Sequence, residues 1–220
     1  MRWNVLGNGD HAHQFERGSP GKLLICNMPP FGIPTEEVFA TCMVDFKMMM
    51  ALAEGRIKLD MYDWILGARP RHWMDMQPLF YLKYSQKIKA MHTHIPKYAQ
   101  LEGQTPNQAA TNYSCGHMAV DYACRVQKAT EVHIFGFDSM FDTTLRSYTD
   151  LLLESDRSPQ NTHRLANNWR PIWPKIFDEF ADTTFVLYHS HDRIKFPIGD
   201  NVQIIVKDKN HERNNKKLVR

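Results

Sequence analysis

The sequence predicts an α/β protein: a single doubly wound, mostly parallel sheet with helices on both faces, of the Rossmann-like kind. Three observations support this. Short apolar runs at Arg2–Leu6, Lys22–Cys26 and Glu131–Phe135 read as buried strands. Stretches with helical spacing alternate with them, which favours parallel pairing through crossover helices. Small-residue turns stand where strands end or helices begin: Gly7-Asn8-Gly9 after the first strand, Ser114-Cys115-Gly116 at a helix start, and Gly136-Phe137-Asp138 after a later strand. Such turns are where backbone N–H groups can hold a phosphate or nucleotide.

The first two strands are followed by a Pro/Gly-rich turn at 28–34. Thr35-Glu36-Glu37 reads as a helix start with Thr35 as its cap. A third strand is expected over 40–45, a Met-rich helix over 46–54, and a strand over 62–66 ended by Gly67. Residues 78–91 carry helical spacing at Leu79, Leu82, Ile88 and Met91, with Tyr84 on the same face, whereas 100–111 reads as a polar loop with Gly103 and Pro106. Ser114 caps a helix through 126 with Met118, Tyr122 and Val126 on one face. Helical pieces are expected over 145–154 and 167–181, and closing strands over 183–188 and Val202–Val206. Residues 1–206 are then expected to form one α/β domain, and 207–220 a basic tail expected to be flexible.

With 220 residues, the chain can bury a full core without disulfide staples. Cys26, Cys42, Cys115 and Cys124 have neither CxxC spacing nor the density of a secreted scaffold, and are expected to be reduced thiols. No apolar run reaches the ~20 residues that span a bilayer, so a cytoplasmic location without stable membrane insertion is expected. The formal charge of +3 comes mostly from the tail. That tail is either a solvated terminus or an arm contacting phosphates.

Gly7-Asn8-Gly9-Asp10-His11-Ala12 satisfies the dinucleotide fingerprint G-x-G-x-x-A, but the acidic residue that would hold the ribose after the second strand is missing. Cys26-Asn27-Met28 stands there instead, which argues against a dehydrogenase; Asn27 suits a base edge or a ribose. Three His-x-His pairs, His11/His13, His92/His94 and His189/His191, would chelate a metal if each lay on a strand. A hydrolase site could combine His11, His13, His189, His191 and Asp192. No carboxylate-rich cluster completes that set, and among eleven histidines such pairs arise by chance, so no metal is expected. His163, in the polar loop 158–164, is either a general base or a surface histidine.

In order and spacing these segments resemble the bacterial sialyltransferases that build lipooligosaccharide, and faintly the two sialyl motifs of the animal enzymes. Gly7-Asn8-Gly9 with Cys26-Asn27 matches the first motif; Ser114-Cys115-Gly116 with Gly136-Phe137-Asp138 occupies the places of the second. His163 stands where the bacterial family has a His before a helix and final strand. The resemblance covers the start and most of the second half of the chain. It implies an inverting, metal-independent glycosyltransferase that needs no cofactor and uses a nucleotide-sugar donor of CMP type. Gly7, Asn8, Gly9, Asn27, Ser114, Cys115, Gly116 and Asp138 would hold the nucleotide. His163 would be the catalytic base, with Tyr148 and Arg146 neutralising the leaving phosphate.

The chain departs from the family at two places. Asn112 replaces an Arg, and the first of two phosphate-binding tyrosines is missing, its place falling among Ser139, Met140 and Phe141. The acceptor would be a glycan or, as for some phage enzymes, hydroxymethylated duplex DNA contacted by the tail and by Arg69 and Arg71 near Trp73. A non-catalytic nucleotide-binding protein with the same fold is the remaining alternative.

Overall fold

In a computed structural model, residues 1–142 and 165–207 are described. They form one eight-stranded sheet in the order β5-β4-β3-β2-β1-β6-β7-β8, every pair parallel. The strands are β1 (Arg2–Leu6), β2 (Lys22–Cys26), β3 (Val38–Met43), β4 (Trp64–Leu66), β5 (Ile88–Met91), β6 (Glu131–Phe135), β7 (Thr184–His189) and β8 (Val202–Val206). The predicted parallel α/β sheet is what forms.

Alternation along the central strands sends side chains to two cores. On one face Trp3, Val5, Leu24, Cys26, Val132 and Ile134 pack under α5 (Cys115–Asp121) and α6 (Ile172–Glu179). On the other, Leu6, Ile25, Met43, Trp64 and Phe135 pack with α1 (Phe46–Ala53), α2 (Ala68–Asp75) and α3 (Pro78–Tyr84). Asp45 starts α1 by accepting the Lys47 N–H.

Several local expectations are corrected. Thr35–Glu37 is a single 3-10 turn after Pro34, not a helix start, because Val38 enters β3 directly and pairs with Leu23. The helical spacing over 78–91 breaks after Tyr84. Ile88 and Met91 belong to β5, paired with Trp64 and Leu66. The buried side of α3 is Phe80 and Tyr84, packed on Trp64, while Leu79 is 81% exposed. The stretch 100–111 is not all loop: Thr105 and Gln108 form a capping box, and with Pro106 in the first turn they start α4 (Pro106–Asn112).

The helix after Ser114 widens into a π turn at Tyr122–Val126. The extra residue in that turn rotates its last positions, so Val126 leaves the buried face and is 49% exposed. Another π turn, Leu165–Trp169, precedes α6, which begins later than the spacing suggested. The helix expected over 145–154 lies outside the described residues, as does the tail from 208.

At the end of α5, Asp121 is fully buried. It accepts from His92 Nε2 (2.8 Å), Tyr98 Oη and Arg125, and Arg125 also reaches Glu179 of α6 (3.0 Å). Burial works to raise its carboxyl, but these donors outweigh burial and hold it below the usual range. The cluster ties α5 to α6 and to the segment after β5. Asp121→Ala leaves three donors facing an empty site, so urea denaturation is expected to show a loss of about 3–5 kcal/mol, against less than about 1 kcal/mol for exposed Asp75→Ala. Equal effects would mean that the cluster does not hold the helices.

Candidate functional site at the β1/β6 switch point

From β1 the chain moves outward through β2 to β5, then returns to the other side of β1 as β6. The carboxyl ends of β1 and β6 therefore flank the point where parallel α/β sheets place their ligands. The two strand-end turns, Gly7-Asn8-Gly9 and Gly136-Phe137-Asp138, meet here.

Their glycines interlock the chain. Gly7 N–H donates to the Phe135 carbonyl (2.8 Å) and Gly9 N–H to the Gly136 carbonyl (2.9 Å), extending the β1–β6 ladder beyond both strands. These N–H groups are thus not free for a phosphate, contrary to the expectation. A Cβ on Gly9 would lie 2.3 Å from Asp138 Oδ2, and one on Gly116 would lie 2.0 Å from the Phe137 ring. Three chain segments approach so closely that only glycine fits.

Asn8, Asn27, Ser114 and Cys115 do come together, on the rim formed by β1, β2 and α5. Asn8 Nδ2 donates to the Cys26 carbonyl at 2.7 Å. Asn27 holds a left-handed backbone, φ 59°. Its N–H donates to the Cys42 carbonyl (3.0 Å), its carbonyl accepts from Thr41 Oγ1 (2.6 Å), and its Oδ1 accepts from the Cys115 thiol (3.0 Å). All four cysteines are free and buried, as expected. Burial pushes the Cys26 and Cys42 thiols up, so they stay protonated.

Ser114 caps α5 reciprocally with His117: its Oγ accepts the His117 N–H, and its own N–H donates to His117 Nδ1 (3.0 Å). That bond leaves Nδ1 unprotonated. Burial pushes the ring down to about 3, with the Trp169 backbone opposing, so His117 is neutral in the fold.

Asp138, expected among the nucleotide ligands, turns toward a histidine cluster instead. One oxygen is 2.8 Å from His11 Nδ1 and the other accepts the His11 backbone N–H at 3.1 Å. His11 Nε2 lies 2.9 Å from Ser190 Oγ. The ring of His189, at the end of β7, stands 3.8 Å from that of His11 and stacks on Phe141 at 4.1 Å. His191 Nε2 lies 3.1 Å from Asp142 Oδ2. Burial, then the neighbouring His11, pushes His189 down to about 4 against the pull of Asp138. Burial works to raise Asp142, but its bond to His191 outweighs that and lowers it.

Of the three His-x-His pairs, only His189/His191 stays together, its rings 4.3 Å apart; the other two separate. His11 and His13 lie on a 3-10 turn, Asp10–Gln14, where alternate residues diverge, so His11 is buried and His13 exposed. His92 is taken by Asp121, and His94 is exposed. Asp192 is exposed too; the carboxylates that join the cluster are Asp138 and Asp142, four residues apart on one helical turn closed by Asp142 N–H to the Asp138 carbonyl (2.7 Å). That spacing is visible in the sequence and was the missed signal. Nothing in the sequence marks Ser190.

His163, Tyr148 and Arg146 lie outside the described residues. Compared with protein-family models, curated proteins and solved structures, the chain matches none. Strand order and helix-covered faces define a Rossmann-like α/β protein. Among the described residues no helix is long and apolar enough to cross a membrane.

A neutral buried His117 has a pH consequence. Its folded value, about 3, lies below the ordinary 6.5, so below pH 6.5 the unfolded chain takes up a proton that the folded chain refuses. Its contribution to stability is complete above pH 6.5 and falls by about 1.4 kcal/mol per pH unit beneath it, until the folded ring titrates. His117→Gln keeps a capping partner for Ser114. Urea unfolding at pH 7 and pH 5.5 is expected to show a fall about 1.4 kcal/mol smaller in the variant. The same fall in both proteins would refute a neutral His117.

Proposed function

We propose that the chain is an inverting glycosyltransferase that moves a sugar from a CMP-type nucleotide sugar to an acceptor hydroxyl, in a step that needs no metal. The observation that carries this is Asn27. Its left-handed backbone is pinned by Cys42 and Thr41, its Oδ1 is anchored on Cys115, and among the described residues nothing accepts from its amide nitrogen. A strained, over-determined residue with an unspent donor at the ligand-bearing rim suits a base or ribose.

The remaining roles rest on the resemblance. Asn8 and Ser114 line the rim beside Asn27, and Gly7, Gly9, Gly116 and Asp138 act by holding the segments together. Arg146 and Tyr148 neutralise the departing phosphate as the sugar gains oxocarbenium character, and His163 takes the acceptor proton. A glycan acceptor is favoured over duplex DNA. Arg71 is already paired with Asp75 (2.9 Å), and Arg69 with Asp45 (3.7 Å) and the Phe46 ring.

A thermal-shift panel tests the donor class: CMP at about 100 times its dissociation constant is expected to add about 2.7 kcal/mol, with no shift from UDP or NAD. Asn27→Gly keeps the left-handed backbone but deletes the amide, and is expected to weaken CMP at least about tenfold. His163→Ala is expected to abolish transfer and leave the CMP shift in place. Stabilisation by NAD alone, or wild-type transfer by His163→Ala, would reject the reading.

A further inference from the structure

Three buried or half-buried imidazoles and two carboxylates lie at one end of the sheet, brought there by three separate segments. His11 comes from the turn after β1, Asp138 and Asp142 from the turn after β6, and His189 and His191 from the end of β7. They form two overlapping groups, His11–Asp138–His189 and Asp142–His189–His191, each with its nitrogen and oxygen atoms within 4.8 Å of one another. An ion with bonds of ~2.1 Å sets its ligand atoms ~3.4 Å apart, so side-chain movements of about an ångström close the shell.

A second observation points to a ligand. His189 is 1% exposed, and its buried Nε2 has no hydrogen-bond partner among the described residues. The nearest carboxylate oxygen, Asp138 Oδ1, is 3.8 Å away, beyond hydrogen-bond range. A buried polar atom left in this state is costly. The ring is not free to turn, because Phe141 stacks on it and the His191 N–H donates to its Nδ1 at 3.3 Å.

We propose that His11, Asp138 and His189 bind a divalent first-row transition ion of the Zn2+ type, with the His191–Asp142 pair completing the shell. Imidazole nitrogens with carboxylate oxygens suit such an ion better than Mg2+ or Ca2+. The proton bookkeeping closes within the cluster. His11 presents Nδ1 to the ion and donates from Nε2 to Ser190 Oγ, the hydrogen-bonded arrangement that orients a metal-bound histidine. His189 presents Nε2 once its proton moves to Nδ1, at the expense of the long bond from the His191 N–H. The ion ties the turns after β1 and β6 to the end of β7, a role separate from the transfer step.

Asp138, His11 and Ser190 are also linked in the order of a nucleophilic triad. That assignment leaves the orphan His189 nitrogen and the His191–Asp142 pair without a role, so the cation is the stronger reading.

The test uses the full chain without a polyhistidine tag, stripped with EDTA and desalted, then titrated calorimetrically with ZnCl2 or MgCl2. One Zn2+ per chain is expected, bound at least 100-fold more tightly than Mg2+. His189→Gln and His11→Gln should each weaken Zn2+ at least 30-fold, while His13→Gln and His94→Gln stay within threefold. Should the buried variants fail to fold, the Co2+-loaded wild type decides, since nitrogen and oxygen ligands give visible absorption distinct from the aquo ion. No stoichiometric Zn2+ in the wild type, or unchanged affinity in folded His189→Gln and His11→Gln, would overturn the proposal. So would fluorophosphonate labelling of Ser190 in protein that takes up no Zn2+. CMP shifts recorded in EDTA report on the transfer reading alone, so the two can fail separately.

Discussion

The pairing of β1 with β6 continues after both strands have ended, and the rest of the site is arranged around it. Leu6 opposes Phe135 in the last regular register, and two further bonds, from Gly7 and Gly9, carry the ladder into the turns. That continuation brings Gly9 onto Asp138, and packs Phe137 against Gly116 at the start of α5. One side of the switch point is thereby turned toward the asparagine rim and the other toward the histidines. The same backbone bonds that close the turns occupy the Gly7 and Gly9 N–H groups.

Two of the buried polar groups, Asp121 and His189, have opposite outcomes. Around Asp121 every donor has its acceptor, and the network joins α5, α6 and the segment after β5. Around His189 the count does not close: its buried Nε2 has no partner among the described residues. The Asp121 network explains itself as structure, whereas the His189 nitrogen is the atom that the proposed cation would engage.

Much of the frame was legible in the residues. Arg2–Leu6, Lys22–Cys26, Glu131–Phe135 and Val202–Val206 are strands with the boundaries that their apolar runs indicate. Ser114 caps its helix, with His117 in the place where glutamate or glutamine is usual. The failures share a cause. Ile88 and Met91 continue a helical spacing, yet the edge of β4 offered them a partner; Val126 continues another, yet a π turn rotated it away. Short-range periodicity is a weak signal wherever an unpaired strand edge or an extra residue competes with it.

By itself the sequence determined the parallel α/β class, because strand runs and turn residues act locally and repeat along the chain. It also named Asn8, Asn27, Ser114 and Cys115, which do meet on one rim. Only the tertiary structure decided how the histidines divide. His11 and His189 are far apart in the chain, and their rings meet because β1, β6 and β7 are adjacent in the sheet. Asp138 was assigned from its motif to a nucleotide and belongs by contact to the histidines, a consequence of the way in which Gly9 packs against its carboxylate. Spacing specifies which residues can share an element; strand order specifies which elements share a site.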